Sequence, residues 1–292
     1  MAILDISKKT DVLASYADWL THRLNSNEVY IRTDSNHISH IEFNSSNVDY
    51  ITLRTKNPQK LYPLLSESSK LKDYNYYIEF TLTAYNTDIE PSMPDKMELV
   101  EMFKDISKKT DKRVVWRYEP IIFTQKYNIG WHIFMFRFFL EKLADYTDSC
   151  VISFATPDEK IRNKIQFDNT PKTYNDFINF CKKLNSIAES NNIALYHNTE
   201  GYDIEYQTGI RSEKALTKQI NKAFTGHENL CTERIDIGKY NTCTNNCLFC
   251  SKNNNDYKLV ESSKLYDPQA AILCDMIKPT DIITDMVLKT GS

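Results

Sequence analysis

The chain has 292 residues, 41% of them hydrophobic and 12% aromatic, with 18 Tyr and 14 Phe, which is the composition of a folded globular protein with a large core rather than a disordered one. A net charge of −3 excludes a global basic field for nucleic acid, although a local basic cleft stays open. No run approaches the roughly 18 apolar residues of a membrane span, and MAILDISKKTD is not a signal peptide, so a cytoplasmic protein without a membrane partner is expected.

In chain order, strands are predicted at 2–7, 50–55, 76–83, 113–118, 150–155 and 193–197, each a short apolar, β-branched run. Helices are predicted between and after them at 12–25, 58–71, 94–109, 128–146, 172–191 and 212–224. In 172–191, Phe177, Ile178, Cys181, Leu184 and Ala188 keep helical spacing. A hairpin over 28–43 interrupts the first crossover. Six β-then-α units predict an α/β fold, a partial (β/α)6 TIM-like barrel over 1–225. A turn-rich, cysteine-bearing extension over 226–292 packs on it in this reading, with one last helix near 280–288.

Ligands of parallel α/β folds sit beyond the carboxyl ends of the strands. There the sequence gathers Lys8, Lys9, Asp11, Lys56, Asn57, Thr83, Ser153 and Glu200 as candidate cofactor contacts, and Tyr85, Glu90, Arg117, Tyr118 and Glu119 as candidate catalytic groups. Asp11 reads equally well as a helix N-cap. Lys8, Lys9, Lys56 and Arg117 are harder to explain by loop polarity alone, because four cations on one rim repel unless an anion or carboxylates answer them. His132 lies in the aromatic run WHIFMFRFF and reads as a packed residue.

The sharpest motif is YNTCTNNCLFC, residues 240–250, with Cys243, Cys247 and Cys250 in the spacing C-x3-C-x2-C. Seven cysteines in all, an odd number, argue against a disulfide framework in a reducing compartment. Three thiolates can each take one iron of a [4Fe–4S] cube and leave the fourth iron for another ligand. In radical S-adenosylmethionine (SAM) enzymes that iron binds SAM, whose reductive cleavage gives a deoxyadenosyl radical. Zinc needs four ligands, for which Cys231, and further on Cys274, are candidates. The spacing favours iron–sulfur over zinc. If Cys231 is a fourth ligand, the site is closed and serves structure or electron transfer. The motif's place is unusual for a radical SAM enzyme, where it follows the first strand.

SKKTD (7–11), TKNP (55–58), FTLTxY (80–85), RVVWRYEPI (113–121), CVISF (150–154) and the tail DIGxYNTCx3Cx2C (236–250), then LYDP and ILC (265–274), together resemble an uncharacterised bacterial family, the domain of unknown function numbered eighteen-forty-eight. That family is described as radical-SAM-like or DNA-repair-photolyase-like. The chain departs from it at Lys8-Lys9, Arg54, Glu119, Ser251 and His197-Asn198. The resemblance implies a partial barrel with a C-terminal cysteine cluster. The resulting expectation is an iron–sulfur enzyme of radical SAM type, using a [4Fe–4S] cluster, SAM and a flavodoxin- or ferredoxin-like electron donor. Its candidate substrate class is a nucleic-acid base or nucleotide. The alternative is a barrel with a structural four-cysteine site, zinc or closed iron–sulfur, and non-radical, redox-sensing or binding work.

Overall fold

The computed structural model describes residues 2–156, 158–168, 171–200, 203–228, 233–253 and 255–288. In chain order its elements are β1 (Ala2–Asp5), α1 (Val12–Ser15), α2 (Ala17–Ser26), β2 (Glu28–Arg32), β3 (His37–Glu42), β4 (Val48–Thr55), two 3-10 helices (Pro58–Leu65 and Lys70–Asp73), β5 (Tyr76–Thr81), α3 (Lys96–Lys109), β6 (Val114–Ile121), α4 (Ile129–Leu143), β7 (Ser149–Phe154), α5 (Glu159–Lys164), α6 (Tyr174–Glu189), β8 (Ala194–His197), α7 (Ile204–Thr208), β9 (Arg211–Ser212), α8 (Glu213–Thr225), β10 (Glu233–Asp236), α9 (Asp256–Lys264) and β11 (Ile282–Asp285). The α/β class is as expected. The larger sheet has the order β10-β1-β4-β5-β6-β7-β8-β9, eight strands rather than six, and it is open, ending in β10 and β9. All six predicted strands are present. The two additions are the short segments ERID and RS, which carry no apolar run by which a sequence pattern is recognised.

The chain divides into two compact units. Unit 1 comprises Met1–Ile78, Asn221–Asn245 and Lys252–Ser292. In it β1 pairs in parallel with both β10 and β4. The predicted hairpin forms as antiparallel β2 and β3, and β11 adds to β3 in parallel. A strand therefore replaces the helix expected near 280–288. Its residues Ile282 and Ile283 remain exposed, so the segment is organised by backbone pairing at a sheet edge and not by burial of an apolar helix face. Residues near 270 lie on α2, where Trp19 Nε1 donates to the Ala270 carbonyl at 2.8 Å and Arg23 to that of Gln269 at 3.0 Å.

Unit 2 comprises Glu79–Ile220 and Asn246–Ser251. Strands β6, β7, β8 and β9 run parallel, with Tyr118 opposite Ile152 and Ile152 opposite His197, and the β6–β7 register shifts between Tyr118 and Ile121. Alternation along β6 sends Trp116 and Tyr118 to one face, where they meet Phe136 of α4 at ring distances of 5.0 and 5.4 Å. Arg117 and Glu119 go to the other. His132 is fully buried in α4, accepting from the Tyr118 hydroxyl at Nδ1 (2.8 Å) and donating from Nε2 to the Ile122 carbonyl (3.0 Å). Burial lowers its pKa to about 4, which favours the neutral ring, and both ring nitrogens are engaged inside the core. Among the described residues no helix is long and apolar enough to cross a membrane.

Candidate metal and ligand site

In unit 1 the loops after β1 and β4 meet at one carboxylate. Asp11 caps α1 through the Ala14 N–H (3.0 Å) and also accepts from the Lys56 N–H (2.8 Å), the Thr55 hydroxyl (3.1 Å) and the Asn245 side-chain amide (2.8 Å). Burial pushes this carboxyl up, and the four hydrogen bonds pull against it. Asp11 is thus the helix cap, and it also ties Asn245 of the cysteine motif to the carboxyl ends of β1 and β4. Thr244 adds a second tie, its hydroxyl 2.7 Å from that of Ser15. Asn57 caps the first 3-10 helix through the Gln59 N–H. Lys8 is exposed and Lys9 half-buried, its ammonium 3.9 Å from Asp236.

The motif enters from β10, a strand the sequence did not reveal, and β10 lies beside β1. It is therefore late in the chain but follows a parallel strand next to the first one. Asn241, in the left-handed region at φ 58°, turns the chain, and Asn253 brackets Cys243, accepting its N–H and donating to its carbonyl. Cys243 is buried, as is Cys274. Both lie by the Tyr16 hydroxyl, which donates to the Thr242 carbonyl and whose pKa is raised by burial and by the two thiols. Lys239 holds the Cys274 carbonyl at 2.7 Å.

In unit 2 the motif continues against the loops after β5 and β6. The Leu248 N–H donates to the Ile89 carbonyl at 3.0 Å and the Asn246 side chain to Ser92 at 3.2 Å. Leu248 and Phe249 pack on a cluster containing Tyr85, Ile89, Ile122 and Tyr127. The Cys250 N–H closes a turn on the Cys247 carbonyl at 3.1 Å, so these two half-exposed thiols share one turn. A cavity of about 520 Å³ adjoins the cluster, lined by Asp88, Ile89, Lys126, Tyr127, Lys164 and Phe167 among others. Its wall is preorganised: the Tyr127 hydroxyl (2.5 Å) and Lys126 (2.9 Å) both donate to Asp88 and hold its carboxyl below the usual range.

The other expected groups of unit 2 are drawn into internal pairs. Arg117 is fully buried, donating to Glu79 (3.0 Å), Glu119 (2.5 Å) and Glu213 (2.6 Å). Glu90 is buried between the Thr83 hydroxyl (2.6 Å) and Lys96 (2.5 Å). Tyr85 donates to the Pro120 carbonyl at 2.8 Å and accepts from the Ile122 N–H at 2.7 Å. With Tyr118 on His132, both phenols are buried in the core and their pKa values are pushed up by burial. Ser153 is half-buried on β7 and Glu200 exposed after β8. Cys231 lies outside the described residues.

A family model described as a domain of unknown function, DUF1848, matches residues 3–251. The chain belongs to the DUF1848 family. No curated protein matches it. The family match takes in the whole C-x3-C-x2-C motif and every candidate residue named above except Cys274.

The thiols are soft donors suited to iron or zinc. Cys243 belongs to unit 1 and Cys247 and Cys250 to unit 2, so each unit carries part of the set. Among the described residues no group of three or more His, Cys, Asp and Glu is arranged to hold a metal ion. The fit to a metal rests on donor type and spacing alone, three soft thiols inside eight residues. Sequence reasoning missed Asn245, Asn253, Lys96, Glu79 and Glu213. Of these only Asn245 carried a signal, as a turn former inside the motif; the others gain meaning from partners distant in the chain.

Proposed function

We propose that the protein is an iron–sulfur enzyme of radical SAM type, with Cys243, Cys247 and Cys250 as the ligands of a [4Fe–4S] cluster. The observation that carries this is the route of the motif: it leaves β10 beside β1 and is tied by Asn245 to Asp11, where ligands of parallel α/β proteins gather. The same reading takes the parallel sheet as part of a TIM-like (β/α) barrel, with 226–292 as its cysteine-bearing extension. It places the protein in the cytoplasm with a flavodoxin- or ferredoxin-like reductant.

When bound, the cluster supplies the electron for reductive cleavage of SAM. The chain's own residues have separate tasks. Asp11 and Ser15 hold the Thr244–Asn245 segment, and Asn253 sets the orientation of the Cys243 peptide. Leu248 and Phe249 exclude water from beside the Cys247–Cys250 turn, a determinant of cluster potential. The cavity by Asp88 and Lys126, of the size of a nucleoside site, receives the substrate, a nucleic-acid base or nucleotide.

A second reading, a closed four-thiolate site with structural or redox-sensing work, is favoured by one observation: buried Cys274 lies by the Tyr16 hydroxyl, which donates to the carbonyl of Thr242, the residue before Cys243. Anaerobic reconstitution separates the two. The first reading expects iron and sulfide in a brown protein absorbing near about 400 nm, SAM cleavage on reduction, and survival of the cluster in Cys274→Ala and Cys231→Ala. A cluster without SAM turnover removes the radical half. One zinc without iron or sulfide, lost in either variant, selects the second reading.

A further inference from the structure

Two polar atoms of unit 1 are buried at the carboxyl ends of adjacent parallel strands without a hydrogen-bond partner. They are Oδ2 of Asp236, the last residue of β10, and the hydroxyl of Thr10 in the loop after β1. Thr10 is only 3% exposed and the Asp236 side chain 11%. Gly238 packs between the two residues: a Cβ there would stand 3.1 Å from Asp236 Oδ1 and 3.3 Å from the Thr10 Cγ2 and backbone nitrogen, tighter than most side chains sit. The Gly238 N–H donates to Asp236 Oδ1 at 2.9 Å and fixes the carboxylate's orientation. Neighbouring Asp5 differs, since Arg234 and Thr52 already donate to it. Lys9 Nζ stands 3.9 Å from Asp236 Oδ2, too far for a hydrogen bond and near enough for attraction.

Buried polar atoms nearly always have partners, and those left over at strand ends point to a ligand. We propose that the ends of β1 and β10 form a binding subsite for an α-amino-acid group, its ammonium on Asp236 and Thr10 and its carboxylate on Lys9, with Lys8 beyond. The charge pattern selects this class. A carboxylate and an ammonium 3.9 Å apart, not bonded to each other, are both answered by a zwitterion that carries its two charges on one carbon. A phosphate answers the lysines and is repelled by Asp236. A diol or a simple amine brings no acceptor within hydrogen-bond distance of the lysine, whose partner anion is Asp236 at 3.9 Å. The subsite does not depend on what the cysteines bind, and it serves either a free amino acid or a larger molecule that ends in one.

Calorimetric titration of the full-length protein as purified, with four probes, tests it: L-methionine, SAM, methylthiopropylamine and methylthiopropionate. Binding of at least one zwitterion is expected, with each half-molecule weaker by about tenfold or more, the size of one charge-assisted hydrogen bond. Asp236→Asn keeps the Gly238 bond through Oδ1, and with it the loop, and should weaken the zwitterion about tenfold or more. Lys9→Met, at a half-exposed position, repeats the test from the carboxylate side with a loss of the same sense. Binding of SAM alone assigns the group to the cofactor, and binding of L-methionine assigns it to an amino-acid substrate; either supports the subsite. Equal affinity of wild type and Asp236→Asn, or no binding of any probe, overturns it and leaves the two atoms to water.

Discussion

Two charged groups, Arg117 with its carboxylates in unit 2 and Lys9 with Asp236 in unit 1, are treated in opposite ways. In unit 2 Arg117 is enclosed by Glu79, Glu119 and Glu213, and Glu90 by Thr83 and Lys96. In unit 1 the Asp236 carboxylate keeps a buried oxygen without a hydrogen bond while Lys9 stands 3.9 Å away. Charge at a strand end is therefore no sign of a ligand in itself. What separates the regions is whether the charge is met at bonding distance inside the fold, and a partnered charge is a stability element first.

The largest expected effect tests that assignment for unit 2. Arg117→Met leaves buried carboxylates without their cation and should cost about 3–5 kcal/mol of unfolding free energy in urea denaturation. A cost below about 1 kcal/mol would show the cage to be poorly formed. Next comes a contrast of two histidines. His132, in unit 2, has its pKa lowered by burial to about 4, below the usual 6.5. Above pH ~6.5 the stability this reflects is fully present; as pH falls the unfolded chain takes up a proton that the fold refuses, and roughly 3 kcal/mol is lost by pH ~4. His132→Gln should flatten that slope. His40, in unit 1, behaves oppositely: hydrogen bonds to Asp285 and Glu28 raise its pKa, so its contribution is present at low pH and lost as pH rises through the raised value. An NMR titration that moved both imidazoles in the same direction would break the contrast.

A smaller effect is expected at Asp11. Asp11→Ala removes a helix cap and the tie to Asn245, for about 2 kcal/mol and a lower metal content per chain. Stability loss with unchanged metal uptake would make the tie structural only. The smallest is Lys9→Ala, below about 1 kcal/mol because the side chain is half-exposed and makes no hydrogen bond to Asp236. A larger loss would move Lys9 into the same class as Arg117.

Much of this was legible from residue order. Apolar runs marked β1, β4, β5, β6, β7 and β8, and helical spacing marked α3, α4, α6 and α8 to within a few residues. The strand β10 was not legible, because ERID has a single apolar residue and forms only by pairing with β1. The helix α9 carries no apolar stripe and starts from the Asn255 cap. The cysteine motif was plain in the sequence, yet its anchor on Asp11 joins residues 234 positions apart, a separation no local pattern records.

Sequence alone determined the α/β class, the family and the candidate thiol ligands, because each depends on residue type and local spacing. Tertiary structure decided which charges are consumed and which are left over. Arg117, inside β6, and Lys9, in the loop after β1, look alike as candidate cations, and only the placing of carboxylates at 2.5–3.0 Å or at 3.9 Å makes one a structural post and the other a candidate contact. Hydrogen bonding is lost over an ångström or so of separation and charge attraction weakens with access to water, and neither quantity exists until the chain has folded.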